Sequence, residues 1–118
     1  MMPTAASLIL VPFPFSDLSG HKKRPALVLT EPDERGDFLA LAITSRSYHA
    51  NAVELDDADV LSGRLPMQSW IRTDKVFTLN RSLVLATVGQ LRPEKASLVL
   101  LRVCAGIGCS KFPLEPER

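Results

Sequence analysis

The chain has 118 residues, of which 46% are hydrophobic, and a formal net charge of +1 from 14 basic and 13 acidic side chains. This length and apolar content suit one globular domain and exclude a disordered chain or a two-domain protein. The nearly balanced charge argues against a protein that binds nucleic acid mainly through bulk positive charge.

Targeting segments and metal motifs are also missing from the sequence. No apolar run approaches the roughly 20 residues that a membrane-spanning helix needs, and the first residues lack the basic region of a secretory signal. The two cysteines, Cys104 and Cys109, form neither a disulfide framework nor a CxxC metal spacing. We therefore expect a cytoplasmic protein that has no membrane partner and uses no metal or other cofactor.

Most of the chain predicts strands. Short apolar runs bounded by turn residues are typical of strands and not of helices. These runs cover residues 8–11, 26–30, 38–44, 52–55, 68–72 and 82–91. The Asp-rich segment 56–63 is predicted to be a loop.

The last periodic segment predicts a helix. Pro93 and Glu94 are residues that favour a helix start, and Gly106 and Gly108 favour its end. The apolar positions between them are Leu98, Val99, Leu101 and Val103. Five or six strands followed by one helix predict a small, strongly curved antiparallel sheet or barrel with the helix packed on it. An apolar helix face around Leu98, Leu101 and Val103 is more than one small core needs, so we also expect a dimer.

The segment 11–30 is the most informative stretch. It leaves an apolar strand, crosses a polar loop with the cations Lys22, Lys23 and Arg24, and enters a second strand at Pro25. Pro25 biases Arg24 toward extended geometry, which fixes the guanidinium at a strand entrance. A rigid Arg beside Lys, Ser, Asp and His suits a phosphate-binding site, and the alternative is an ordinary solvated hairpin loop.

Four motifs occur in a specific order. They are Pro12-Phe13-Pro14-Phe15-Ser16-Asp17, Lys22-Lys23-Arg24-Pro25-Ala26-Leu27-Val28, Ile43-Thr44-Ser45 and Ile71-Arg72-Thr73-Asp74-Lys75. With these motifs the chain resembles the MazF/PemK family of toxin endoribonucleases over about residues 8–105, within a single domain of residues 1–118. Residues 107–118 have no counterpart in that family and are expected to be a disordered tail. Ala6-Ser7 stands where the family usually has Gly-Asp, a difference expected to affect a turn.

The resemblance implies a fold, an activity and a set of site residues. Family members are homodimers with a mainly β, SH3-like antiparallel barrel and a C-terminal helix. They cleave single-stranded RNA in short sequences without metal and are inhibited by a cognate antitoxin. The essential Arg of the family falls on Arg24, and its strand-end Thr falls on Thr44, with Ser45 beside it. The Arg/Asp pair of some members falls on Arg72 and Asp74.

The chemistry of RNA cleavage supports these positions. Attack by the 2′-hydroxyl of the substrate requires stabilisation of negative charge on the phosphate. The planar fork of Arg24 can donate two hydrogen bonds to phosphate oxygens, and Thr44 can donate one. The pKa of Arg, above about 12, favours electrostatic stabilisation over proton donation. The alternative for Thr44 is a strand-end residue that closes a turn.

The general base is less well defined by the sequence. Asp74 can accept the 2′-hydroxyl proton if its pKa is raised, whereas pairing with Arg72 would lower that pKa and make Asp74 a poor base. A catalytic and a structural Arg72–Asp74 pair therefore both stay open. His21 titrates near neutral pH, and we assign it with Lys22 and Lys23 to substrate contact.

Several other side chains have two interpretations each. Phe13 either lines the RNA groove or anchors the first loop, and Ser16, Ser45 and Arg72 complete the predicted substrate contacts. Trp70 either stacks on a base or belongs to the core or a subunit interface. The polar loop Tyr48-His49-Ala50-Asn51 is a candidate for base recognition, although His49 also suits a plain surface position.

Two further functions are compatible with this reasoning. One is a toxin of the same fold that poisons DNA gyrase, which does not need the Arg24 and Thr44 pair. The other is a catalytically inactive RNA-binding or regulatory module.

Overall fold

Seven strands and one helix form the part of the chain that this computed structural model describes, which is residues 3–12, 23–47 and 50–109. The strands are β1 (Ser7–Pro12), β2 (Lys23–Val28), β3 (Asp37–Thr44), β4 (Ala52–Leu55), β5 (Val60–Gly63), β6 (Ser69–Asn80) and β7 (Ala86–Leu91), and the helix is α1 (Pro93–Ile107). Short 3₁₀ turns, Asp57–Asp59 and Arg81–Leu83, lead into β5 and out of β6.

One antiparallel sheet contains all seven strands in the order β4-β6-β3-β2-β1-β7-β5. β4 and β5 are therefore its two edges, yet only residues 56–59 separate them along the chain. A flat sheet of this size is about 29 Å wide, whereas this connection reaches about 18 Å when fully extended. The sheet must curl to bring its edges together. This half-barrel with a C-terminal helix confirms the predicted SH3-like fold.

A bulge in β6 changes the direction of the sheet. β3 pairs with β6 at Leu41↔Val76 and again at Ile43↔Ile71. Two steps along β3 therefore match five steps along β6, and residues 72–75 bulge away from β3. Bulges bend a strand and redirect its side chains. This bulge carries most of the fourth sequence motif.

Both faces of the curled sheet bury apolar side chains, because successive residues of a strand point to opposite faces. The first core consists of Leu8, Leu27, Leu41, Ile43, Val53, Leu55, Ile71 and Leu91 with Val99 and Val103 of α1. The second core consists of Ile9, Val11, Ala26, Val28, Phe38, Ala40 and Leu79. The strand alternation therefore assigns any residue of β2 or β3 to one of two distinct faces.

Helix α1 packs on the first core through one side only. Val99 and Val103 are buried, whereas Leu98 and Leu101 are 38% and 68% exposed. The prediction that Val103 belongs to an outer apolar face is wrong, because Val103 and Val99 are four residues apart and lie on the same inner stripe. Within the described residues, no helix is long and apolar enough to cross a membrane.

Two strand assignments also differ from the sequence prediction. Residues 60–63 form β5 instead of a loop, because pairing with β7 stabilises a short, mostly exposed edge strand that has no clear alternation. β6 continues to Asn80, eight residues beyond the predicted end at residue 72. The charged run 72–75 suggests a loop by composition, but the sheet accommodates it as a bulge.

Candidate active site

Arg24 lies in β2 directly opposite Val11 of β1. Val11 and Ala26 belong to the second core, so the Arg24 side chain is on that face of the sheet. Among the described residues, Arg24 Nε is the one buried side-chain nitrogen or oxygen without a hydrogen-bond partner. A buried donor without an acceptor costs free energy and requires an explanation, such as a ligand that accepts its proton.

Thr44 lies across the sheet from Arg24. The β2–β3 register runs through Ala26↔Ala42, and extending it by two residues places Arg24 opposite Thr44. Opposed residues of antiparallel strands share a face, with Cβ atoms about 5 Å apart. Sheet register therefore joins two side chains that are far apart in sequence.

The hydroxyl of Thr44 has a defined local partner. Thr44 Oγ1 accepts a hydrogen bond from the backbone N–H of Arg46 at 3.1 Å. This bond is the turn-closing contact that the sequence suggested as an alternative. A hydroxyl also has one proton to donate, and accepting from Arg46 does not use that proton. Thr44 can therefore close the turn and donate to a phosphate at once.

Arg72 and Asp74 form a bidentate ion pair on the bulge of β6. Arg72 Nε donates to Asp74 Oδ1 at 3.0 Å, and Arg72 Nη2 donates to Asp74 Oδ2 at 2.6 Å. The two side chains are 15% and 35% exposed. Paired forks of this kind fix the orientation of both groups. The ion pair is thus present, and the catalytic role of Asp74 stays a prediction.

A row of side chains runs across three strands. Thr44 is paired with Trp70 of β6, so Arg24, Thr44 and Trp70 occupy one line on one face. Arg72 is two residues from Trp70 along the same strand and shares its face. The hydroxyl of Thr44 therefore lies between the strands that carry two guanidinium groups, an arrangement suited to a phosphodiester.

The remaining predicted contacts lie outside this row or outside the described residues. Lys23 is exposed at the start of β2, and strand alternation puts it on the face opposite Arg24. Ser45 is exposed just after β3. Phe13, Ser16, His21 and Lys22 lie outside the described residues, as do Tyr48, His49 and residues 110–118.

Sequence reasoning missed a polar pair at the far end of this row. Glu54 of β4 is opposite Trp70. Gln68 Nε2 donates to Glu54 Oε2 at 3.2 Å and to the carbonyl of Leu55 at 3.3 Å. Nothing in the local sequence indicates this contact, because it depends on the register between β4 and β6.

Comparison with known proteins matches this architecture to one family. Residues 5–106 match the family model described as PemK-like, MazF-like toxin of type II toxin–antitoxin systems. The chain belongs to this family. A search of curated proteins found no match.

Solved structures of MazF toxins share the fold. The MazE–MazF complex of Deinococcus radiodurans (form III) has a TM-score of 0.74 at 22% identity, covering 92% of this chain and 98% of that one. A mycobacterial endoribonuclease in complex with its cognate antitoxin has a TM-score of 0.69 at 17% identity, covering 96% and 99%. The Mycobacterium tuberculosis toxin MazF-mt6 has a TM-score of 0.65 at 18% identity, covering 86% and 96%.

Within residues 3–12, 23–47 and 50–109, no three His, Cys, Asp or Glu side chains cluster closely enough to hold a metal ion.

Proposed function

We propose that this protein is a sequence-selective endoribonuclease, the toxin of a type II toxin–antitoxin system, which cleaves single-stranded RNA without a metal ion. The buried, unpartnered Nε of Arg24, in a strand register opposite the Thr44 hydroxyl, is the observation that carries the proposal. These donors suit a phosphate whose negative charge grows during the reaction.

In the proposed reaction the substrate supplies its own nucleophile. The 2′-oxygen attacks the adjacent phosphorus, the bond to the 5′-oxygen breaks, and the released 5′-oxygen takes up a proton from water. The products carry a cyclic phosphate and a 5′-hydroxyl. Arg24 and Thr44 donate hydrogen bonds to the non-bridging oxygens, where charge develops. Arg72 holds the Asp74 carboxylate in place through its bidentate pair, which occupies one lone pair on each oxygen. Asp74 is the proposed acceptor of the 2′-hydroxyl proton through a remaining lone pair, although its pairing with Arg72 makes it a weaker base than a free carboxylate.

The proposed partners follow from the same surface and from the family. Single-stranded RNA binds along the row from Arg24 to Trp70, and Phe13, Ser16, His21 and Lys22 stay predicted substrate contacts. A cognate antitoxin blocks this row with acidic side chains, which complement the Arg24 guanidinium. Two copies of the chain pair through the outer face of α1.

Cleavage of a long RNA by purified protein tests the proposal. Arg24→Ala should reduce the rate by at least about 10²–10³-fold, the cost of losing one preorganised donor at a developing charge. Arg24→Lys should restore little activity, because a point charge does not replace the planar fork. Arg35→Ala is the matched control, since Arg35 is exposed in the β2–β3 turn, at the opposite end of β3 from Thr44. Near-normal cleavage by Arg24→Ala would overturn the assignment.

The chemistry of the products gives a second test. Cleavage should persist in excess EDTA and leave 5′-hydroxyl ends, because the 2′-hydroxyl route uses no metal-activated water. A substrate with 2′-deoxyribose at the cut position should stay intact. Dependence on magnesium or 5′-phosphate products would contradict the mechanism, and RNA binding without any cleavage would indicate an inactive binding module.

A further inference from the structure

We propose that Trp70 is a stacking platform for the base beside the scissile phosphate, and that the Glu54–Gln68 pair reads the edge of that base. This proposal rests on the proposed function and names the specificity determinant of that same site.

The register of three strands places these groups. Trp70 is the direct partner of Thr44 on one side and of Glu54 on the other. Because opposed residues share a face, the Cβ atom of Trp70 lies about 5 Å from that of Thr44, and the Cβ atom of Glu54 lies one strand further along the row. The order along the row is phosphate donor, aromatic ring and polar pair, which is the order of phosphate, base plane and base edge in a bound nucleotide.

The burial of β6 excludes a core role for Trp70. Its neighbours Ser69 and Ile71 are buried at 5% and 0% exposure, and Ile71 belongs to the first core. Trp70 points to the other face, is only partly buried, and belongs to neither core cluster. A partly exposed indole between a hydroxyl and charged side chains is well suited to stack on an unpaired base.

The hydrogen bonds of Gln68 determine what the polar pair offers. Its amide nitrogen donates both to Glu54 Oε2 and to the carbonyl of Leu55. Because these two bonds use both amide protons, Gln68 presents its oxygen, and Glu54 presents the rest of its carboxylate. The pair is therefore an acceptor surface, which matches a base with an exocyclic amino group. Uracil has no amino group, so we expect it to be disfavoured at this position.

The chain contains one Trp, so its fluorescence reports this platform directly. The probe is a single-stranded RNA with 2′-deoxyribose at the cut position, which binds without being cleaved. Stacking should quench the emission of Trp70 in step with binding measured by anisotropy of labelled RNA. Trp70→Ala should weaken binding by about 5- to 100-fold, and Trp70→Phe, which keeps an aromatic face, should recover most of the loss.

Sequencing of cleavage ends tests the polar pair. Glu54→Ala and Gln68→Ala should each reduce the discrimination against uracil by about 5-fold or more, within the range of one lost base contact. Lys75→Ala is the control, since Lys75 is an exposed residue of the β6 bulge outside the row. Unchanged preferences in both variants of the pair would overturn its role.

Further outcomes separate this proposal from the proposed function. Arg24→Ala should lose cleavage and bind RNA more weakly, and at RNA concentrations that saturate the variant the quenching of Trp70 should still occur. If wild-type protein cleaves RNA, and Trp70→Ala binds and cleaves with unchanged preference, the platform is wrong and the ribonuclease stands. Trp70 would instead belong to a subunit contact if two results were found together. RNA would leave the emission of Trp70 unchanged, and Trp70→Ala and Trp70→Phe would both lose the dimer. Failure of the wild-type protein to bind RNA would overturn the proposed function itself.

Discussion

Ala6 adopts a backbone conformation that alanine rarely occupies. Its φ is 70°, and it is the one non-glycine residue with positive φ among the described residues. Its N–H donates to the Val28 carbonyl, and its carbonyl accepts from Leu91 N–H, each at 2.8 Å. These bonds tie the turn to two parts of the chain and hold Ala6 in place. The departure from the family's usual Gly thus falls on a turn that favours glycine.

Ala6→Gly should therefore stabilise the protein. Glycine removes the strain of the left-handed conformation, which raises the free energy of unfolding by about 1–2 kcal/mol. Part of this gain is lost because glycine has more conformational freedom in the unfolded chain. We expect a net gain of about 0.5–1 kcal/mol in the free energy of unfolding, measured by urea denaturation. Ala5→Gly is the control, because Ala5 has no positive φ and its change should be neutral or destabilising. A lower urea midpoint for Ala6→Gly would contradict this account.

The Arg72–Asp74 pair makes a prediction about coupling. Arg72→Ala should lower the cleavage rate, and Asp74→Asn should lower it further, by about 10²–10⁴-fold, because it removes the proposed proton acceptor. The double variant should be no slower than Asp74→Asn, since the pair acts as a unit. Single-turnover rates of the four proteins test this. Additive losses would show that the two residues act separately. If Arg72→Ala cleaved more slowly than Asp74→Asn, Arg72 would be the more important group, and Asp74 would only position it.

At the scale of elements, the end of α1 brings the two cysteines together. Gly108 has φ 84°, and the N–H groups of Gly108 and Cys109 both donate to the carbonyl of Cys104 at 2.9 Å. This glycine-terminated cap folds the residue after the glycine back onto the last turn. A hydrogen bond that the Cys109 thiol donates to the Cys104 sulfur, more than burial, raises the pKa of the Cys109 thiol.

The raised pKa has a measurable consequence. A higher pKa keeps Cys109 protonated to higher pH, and only the thiolate reacts with alkylating agents. Mass spectrometry can measure the rate at which iodoacetamide alkylates Cys109 as a function of pH. We expect this rate to increase at a higher pH than the rate for an ordinary cysteine. Cys104→Ala removes the largest cause, so its profile should shift to lower pH. Identical profiles in the two proteins would refute the contact.

At the scale of the whole molecule, the outer face of α1 exposes a group of leucines in the part of the chain that the structure describes. Leu98, Leu100 and Leu101 are 38%, 51% and 68% exposed on a helix whose other side packs on the first core. Adjacent exposed leucines of this kind are typical of an interface. The proposed dimer uses this face in a symmetric arrangement, in which each copy contributes the same patch.

Leu101→Glu should therefore produce a monomer of about 13 kDa, because a symmetric interface would bury two opposed carboxylates. Light scattering at micromolar concentration measures the mass. Leu61→Glu is the control, since Leu61 is 53% exposed on the edge strand β5 and lies outside the proposed interface. A wild-type monomer, or an unchanged dimer in Leu101→Glu, would exclude this interface.

The local features of this protein can be read from its sequence. The apolar runs predicted six of the seven strands at least in part, because burial and turn residues mark them locally. Pro93 and Gly108 marked the ends of the helix within a residue or two. Pro25 also fixed the extended backbone of Arg24, since proline restricts the residue before it.

The tertiary structure alone decided which side chains meet. Thr44 lies opposite Arg24, Trp70 beside Thr44 and Glu54 beside Trp70 because of register between strands that are distant in sequence. Edge strand β5 exists only because the curled sheet brings β7 within hydrogen-bonding reach. Register depends on the packing of both faces and on the β6 bulge, and a shift of one residue would turn each side chain to the opposite face. The local sequence does not specify this register, so the row forms only when these strands pair in the sheet.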